Sequence, residues 1–194
     1  MLKYKNLTEQ ELVEAYAAGE TTALDELVYR TQDKVLSTIY YLVRNRELAN
    51  DLMQETYIRA VAKIRSNDYV NDGKLTAWLN RIARNLCMDH FRSNGKHTTV
   101  STANGGKDIF DFIKLADDSY EDKLMSAQSA YRIRELLCKL PQDQREVITM
   151  RIFGELSFKE IAEETKSSIN TCLGRMRYGL INLRKMVKER ELVL

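Results

Sequence analysis

The stretch from Ser157 to Arg190, SFKEIAEETKSSINTCLGRMRYGLINLRKMVKER, constrains the chain more than any other. Ser157 and Glu160 stand in the S-x-x-E relation of a capping box, in which each side chain satisfies an orphan N–H of a first helical turn. Ile161, Ala162 and Thr165 then share one helical face, and Lys166-Ser167-Ser168 interrupts the pattern. Ser168 is placed to cap a second helix with a buried stripe of Ile169, Cys172, Met176, Gly179 or Leu180, Leu183 and Val187. From Ile169 to Arg190 six cations stand against one anion. A short helix, a tight turn and a cationic second helix make a helix-turn-helix, whose second helix enters the major groove. The competing reading is a helical hairpin with a merely solvated basic face. The capping box, the turn length and the mixed face of Asn170, Thr171, Arg175, Arg177 and Tyr178 favour the first.

Charge distribution supports this division of labour better than net charge, which is only +2. Residues 1–92 carry 13 cations and 13 anions, residues 93–125 carry 4 and 6, and residues 126–194 carry 13 and 9. The basic excess therefore sits at the C-terminal end. Cys87, Cys138 and Cys172 are far apart on apolar helical faces, which fits core packing in a reducing compartment. Cys87 and His90 are only two candidate ligands and make no zinc site, so neither metal nor cofactor is expected. No membrane-spanning run or signal-peptide core is visible, and a soluble, cytoplasmic protein is expected.

Taken in order, the chain is helical throughout. Thr8 and Glu11 form another capping box, opening a helix with Leu12, Val13 and Tyr16 inward and Gly19 at its end. A short helix from about Thr22 leads towards a longer apolar one, Val35 to Val43. Seven anions against three cations in residues 1–33 make that face a poor one for DNA, suited instead to packing. The helix from about Glu47 to Ile64 buries Leu48, Leu52, Thr56, Ala60 and Ile64, flanked by Met53, Tyr57 and Val61. Asp51, Gln54, Glu55, Ile58, Arg59 and Ala62 remain outside. Ile58 among carboxylates suggests a docking surface, although Glu55 and Arg59 also have the spacing of an ordinary intrahelical ion pair.

The segment SNDYVNDGK, Ser66 to Lys74, is a loop by composition. A helix capped by Thr76 then runs to Arg92, with Trp78, Leu79, Ile82, Ala83, Leu86 and Phe91 apolar and Arg81, Arg84, Asn85, Asp89 and Arg92 polar. A protruding Tyr69 beside that basic helix suits single-stranded nucleic acid, which needs a π-face and cations. The alternative folds Tyr69 back into the core, where Trp78 also belongs. The pattern lapses from 94 to 122, giving an acidic, aromatic-bearing linker that either stays solvated or enters a basic channel on a partner. A second domain starts near Lys123 with Ala130, Ile133, Leu136, Leu137 and Leu140 on one helix. Leu140-Pro141 ends it, Pro141 takes the first position of the next, and Gly154 closes that one. Two small all-α domains on a flexible acidic linker result. No nucleophile–base pair or phosphate loop points to an enzyme.

Four stretches in this order resemble the sigma-70 superfamily, specifically its small two-domain extracytoplasmic-function (ECF) sigma factors. LTEQELVEAYAAGETTALDELVYR fits the family's opening, and DLMQETYIRAVAKI resembles its polymerase-docking helix. AWLNRIARNLCMDHFR resembles the promoter-melting helix, and LPQDQREVITMRIFGELSFKEIAEE with the helix after it resembles the −35 reader. The resemblance implies a region 2 over 1–93, a linker over 94–122 that threads towards the RNA exit path, and a region 4 over 123–194. It implies partners: core RNA polymerase through the β′ clamp and β flap, promoter DNA, and an anti-sigma protein as regulator. It places polymerase contacts at Asp51, Leu52, Gln54, Glu55, Ile58 and Arg59. It places −10 contacts at Tyr69, Asn71, Lys74, Trp78, Arg81, Arg84, Asn85, Asp89 and Arg92. The −35 contacts fall at Ser168, Asn170, Thr171, Leu173, Gly174, Arg175, Arg177 and Tyr178. Two departures stand out: Lys166 where the family has a turn glycine, implying a less tightly left-handed turn, and Leu173-Gly174 where it often has Lys-Ser. Leu173 is thereby suited to a thymine methyl. The rivals are a plain helix-turn-helix regulator that never touches polymerase and an adaptor whose main partner is another protein.

Overall fold

The computed structural model describes Tyr4, residues 6–93 and residues 135–191. The expected linker, with Ala130 and Ile133, lies outside them. Among the described residues the long elements are all α-helices and no strand occurs. The chain divides into two compact units, one built on its first four helices and the other on its last three.

In the first unit, α1 (Glu9–Ala17) begins at the expected capping box: Thr8 N–H donates to Glu11 Oε2 at 2.7 Å, and Glu11 N–H donates to Thr8 Oγ1 at 3.3 Å. Those Thr8 hydrogen bonds hold the Glu11 carboxyl below its ordinary pKa. Gly19, at φ +102°, ends the helix, with its N–H on the Tyr16 carbonyl and that of Glu20 on Ala15, both at 3.0 Å. The short and long helices expected next are one continuous 22-residue helix, α2 (Thr22–Val43). No Gly or Pro interrupts the polar stretch between its two apolar ends. Thr31 is buried there with its hydroxyl on the Leu27 carbonyl at 2.7 Å and 2.8 Å from the Tyr57 hydroxyl. Burial pushes the Tyr57 hydroxyl up to about 12, partly offset by the Thr31 bond and reinforced by Asp33.

Helix α3 (Arg46–Arg65) is capped by Asn45, whose side chain accepts from the Leu48 N–H at 3.0 Å. It buries Ala49, Thr56, Ala60 and Ile64, with Leu48, Leu52, Met53, Tyr57 and Val61 half-buried against the core. Helix α4 (Leu75–Ser93) starts before Thr76, which is buried inside the helix and donates to Glu9 at 3.4 Å instead of capping. Its entry is set by Gly73 at φ +75° and by Asp72 Oδ1, which accepts the Lys74 N–H at 3.1 Å. One core joins the four helices through Leu12 of α1, Leu27, Val35 and Ile39 of α2, Ala60 and Ile64 of α3, and Leu79, Ala83 and Cys87 of α4, with each fully buried Leu, Val or Ile contributing about 1.5–3 kcal/mol.

In the second unit, residues 135–139 are helical and α5 (Gln142–Ile152) follows. Pro141 sits at the cap, one position earlier than expected: its carbonyl accepts the Arg145 N–H at 3.0 Å. Arg145 is itself buried and donates from Nη1 to the Leu140 carbonyl at 2.9 Å, satisfying an end of the preceding helix. The left-handed residue beyond α5 is Glu155 (φ +56°), not Gly154. Two more helices, α6 (Phe158–Thr165) and α7 (Ile169–Glu191), complete the unit, with Val147, Ile148, Met150, Ile161 and Cys172 buried.

Candidate nucleic-acid interface

The geometry of the helix-turn-helix follows from its caps. Ser157 N–H donates to Glu160 Oε2 at 2.8 Å and Glu160 N–H to Ser157 Oγ at 3.3 Å, so the box closes as expected and starts α6. Lys166 ends α6 at φ +51°, ψ +40°, fully left-handed despite its Cβ. The expected relaxation of the turn does not occur. Lys166 N–H donates to the Glu163 carbonyl at 3.3 Å and Ser167 N–H to that of Ala162 at 3.0 Å, and those bonds fix the conformation against a steric cost of about 1–2 kcal/mol. Ser168 then accepts the Thr171 N–H at 3.0 Å and starts α7.

On α7 the inner stripe is Cys172 and Gly179, fully buried, with Met176, Leu180, Leu183 and Val187 half-buried. Ile169, expected inside, is 45% exposed because it occupies the first residue of the helix. Ser168, Asn170, Thr171, Leu173, Arg177 and Tyr178 are exposed, and Gly174 is half-exposed among them. Leu173 and Tyr178 present apolar surface there, joined by Ile181, which the sequence pattern did not single out. Arg175 differs from the other site residues. Its guanidinium bonds Asp143 of α5 and Ser167 of the turn, so it braces the motif and is only partly free to face outward.

In the first unit the outer side of α3 carries Asp51, Gln54, Ile58 and Arg59, all exposed, with Ile58 at 64%. Leu52 turns half inward against the core. Glu55 is half-buried and accepts from Arg59 Nε at 2.7 Å, so the ordinary intrahelical pair is present and only Asp51 adds unneutralised charge beside Ile58.

The loop between α3 and α4 corrects one expectation. Tyr69 does not protrude. It is 9% exposed and lies with its ring 4.3 Å from that of Trp78, and burial pushes its hydroxyl up to about 12, with Asp72 and Glu9 adding to the shift. A ring packed on Trp78 offers little face to a base. The side chain that does protrude is its neighbour Val70, 81% exposed. An adjacent Tyr and Val in a loop give no period from which to tell which points outward. Asn71 is tied to α1, donating from Nδ2 to the Gln10 carbonyl at 3.0 Å, while Lys74 is exposed. On α4, Arg84 is buried, against the expectation that it lies on the polar side, and Arg81 and Trp78 are half-buried. Asn85, Asp89 and Arg92 are exposed, the last two paired at 3.2 Å. The surviving polar strip on this helix is therefore narrower than the sequence suggests.

Among the described residues no helix is long and apolar enough to cross a membrane, and no group of three or more His, Cys, Asp or Glu side chains is arranged to hold a metal ion. Comparison with known proteins agrees with the two-unit division. Sigma-70 region 2 matches residues 27–97 and sigma-70 region 4 matches residues 130–176. The ECF RNA polymerase sigma factor BldN of Streptomyces coelicolor is 34% identical over 152 residues, 78% of this chain, which spans 55% of that relative's length. ECF sigma factor SigW of Bacillus subtilis is 29% identical over 174 residues, covering 88% of this chain and 92% of SigW. Two solved structures share the fold. CnrH in complex with the cytosolic domain of CnrY has a TM-score of 0.58 at 21% identity over 93% of this chain and 97% of that one. RpoE of Bartonella quintana in complex with the anti-sigma factor NepR has a TM-score of 0.61 at 19% identity over 85% and 96%. With both family regions present in order, covering more than half of the residues, this chain belongs to the sigma-70 family as an ECF-type sigma factor, a non-enzymatic factor that directs promoter-specific initiation by RNA polymerase.

Proposed function

We propose that α3 is the handle by which this chain binds core RNA polymerase, with Asp51, Gln54 and Ile58 at its centre. In the same proposal the 66–74 loop and the exposed strip of α4 hold unpaired −10 DNA, and the outer face of α7 reads the −35 duplex. The observation that carries it is Ile58: a large apolar side chain, 64% exposed at mid-helix on a face whose opposite side is core. Such a residue beside a carboxylate and an amide fits a partly apolar, basic partner surface. Opening a base step costs a few kcal/mol, and contacts to extruded bases and backbone offset it. Tyr69 and Trp78 support that loop from beneath, leaving Val70 and Lys74 of the loop and Asn85, Asp89 and Arg92 of α4 among the outward groups. The fold shared with CnrH, solved with the cytosolic domain of CnrY, and with the sigma factor RpoE, solved with the anti-sigma factor NepR, supports a protein regulator for this chain as well. Work with RNA polymerase on promoter DNA supports a cytoplasmic location for this reading.

The test is reconstitution. Purified chain added to core polymerase is expected to give discrete, promoter-specific transcripts from genomic fragments. The Asp51→Ala, Ile58→Ala double variant is expected to lose both co-purification with core enzyme and those transcripts while its helical circular dichroism is unchanged. A chain that ignores core polymerase and occupies its DNA sites unaided is an ordinary helix-turn-helix regulator.

A further inference from the structure

Glycine weakens a helix interior, so a glycine there needs a reason. α7 contains two, and the structure supplies a reason for one. A Cβ on Gly179 would lie 2.6 Å from Ile148 Cδ1 and 3.3 Å from Gln144 Cβ, so close packing on α5 excludes a side chain. A Cβ on Gly174 would meet nothing within 4 Å, and Gly174 does not have the positive φ that Gly19 and Gly73 use in turns. Neither packing nor backbone conformation within the described residues explains it.

Its surroundings do point outward. On a helix the neighbours of residue 174 on the same face are one turn away, at 170 and 171 and at 177 and 178. Those residues are Asn170, Thr171, Arg177 and Tyr178, all exposed. Gly174 is thus a notch one side chain deep at the centre of a polar and aromatic frame, with Leu173 on its flank. We propose that Gly174 is a close-approach position, where the missing Cβ lets the α7 backbone come against a base-pair edge in the major groove. The ligand is duplex DNA, and the groups that project furthest from the groove floor, such as the thymine methyl, are the ones the notch would seat. This rests on α7 being the duplex-facing helix and deepens that reading by naming the point of contact.

The experiment uses the full chain assembled with core polymerase, and a duplex selected by the unaltered complex from a library randomised around −35. Gly174→Ala is expected to slow exchange of α7 amides about fivefold, the scale of the Gly-to-Ala propensity difference, while weakening binding to the selected duplex at least tenfold. No charge is lost, so the slope of affinity against salt stays the same. Repeating the selection with Gly174→Ala is expected to change preference at one or two adjacent base pairs only. Binding that is unchanged or tighter in Gly174→Ala overturns the proposal, as does weaker binding accompanied by faster α7 exchange, which would mark a damaged helix. Failure of the unaltered complex to select any duplex overturns the initiation-factor assignment, a separate result.

Discussion

Arg175 Nη2 lies 2.7 Å from Asp143 Oδ2, joining α7 to the first turn of α5, and Nη1 of the same guanidinium lies 3.1 Å from Ser167 Oγ in the turn. One side chain thus fixes α7 against both elements that aim it. The pair is partly exposed, so its own contribution to stability is at most about 1 kcal/mol. Its larger effect is on orientation. Asp143→Ala removes a residue remote from the outer face of α7, and is expected to weaken −35 binding several-fold with little change in stability. Arg175→Lys keeps the charge but not the planar fork, and is expected to resemble Asp143→Ala more than the unaltered chain. Affinity of the polymerase-bound chain for its selected duplex checks both.

Lys166 occupies the left-handed region at the end of α6. Lys166→Gly removes a steric cost of about 1–2 kcal/mol, offset in part by the greater freedom glycine gives the unfolded chain. A net gain of about 0.5–1 kcal/mol is expected in the stability of the second unit, measured by denaturant titration. A loss would show that the Lys166 side chain makes contacts outweighing its backbone cost.

Gly179→Ala sets two terms against each other. Alanine is the better helix former by about 1 kcal/mol, but the new methyl meets Ile148 at 2.6 Å in a packed core, where overpacking costs about 1–3 kcal/mol. Net destabilisation of up to about 2 kcal/mol is expected, with faster exchange of α7 amides. A further Ile148→Val substitution, which shortens the clashing side chain, is expected to recover part of it.

Ile58→Ala removes exposed apolar surface, so the free chain is expected to keep its stability within about 0.5 kcal/mol. Affinity for core polymerase is expected to fall by about tenfold or more, as for an anchor residue worth at least 1.4 kcal/mol. Arg59→Ala serves as the contrast, because Arg59 is already satisfied by Glu55 and its loss is expected to cost less.

The first unit has a defined alkaline limit. Tyr57 and Tyr69 are both pushed up to about 12 by burial, so the folded chain keeps these protons where the unfolded chain, titrating near 10, has released them. Stability is therefore full below pH 10 and falls as pH rises from 10 towards 12. Trp78, whose ring lies tilted against that of Tyr69, reports it through fluorescence, and Tyr57→Phe together with Tyr69→Phe is expected to flatten the decline.

The local pattern of the sequence was enough for the all-helical class, the two capping boxes, the Ser168 cap and the inner and outer faces of α3, because each depends on residues three or four apart on one helix. Most of the outward-facing groups on α7 were legible for the same reason, with Ile169, Ile181 and the bracing Arg175 the exceptions. What the sequence left open was decided by contacts between elements far apart in the chain. Thr31 is tolerated in the buried middle of α2 because Tyr57 meets its hydroxyl, Tyr69 turns inward because Trp78 is there to receive it, and Asn71 is held by α1. Arg175 became a brace only when α5 brought Asp143 beside it, and the two glycines of α7 became distinguishable only when Ile148 packed against one of them and nothing packed against the other. Helical periodicity is short-range and written in the chain itself. Which of two neighbouring side chains is buried depends on what the fold places opposite, and that is a property of the tertiary structure alone.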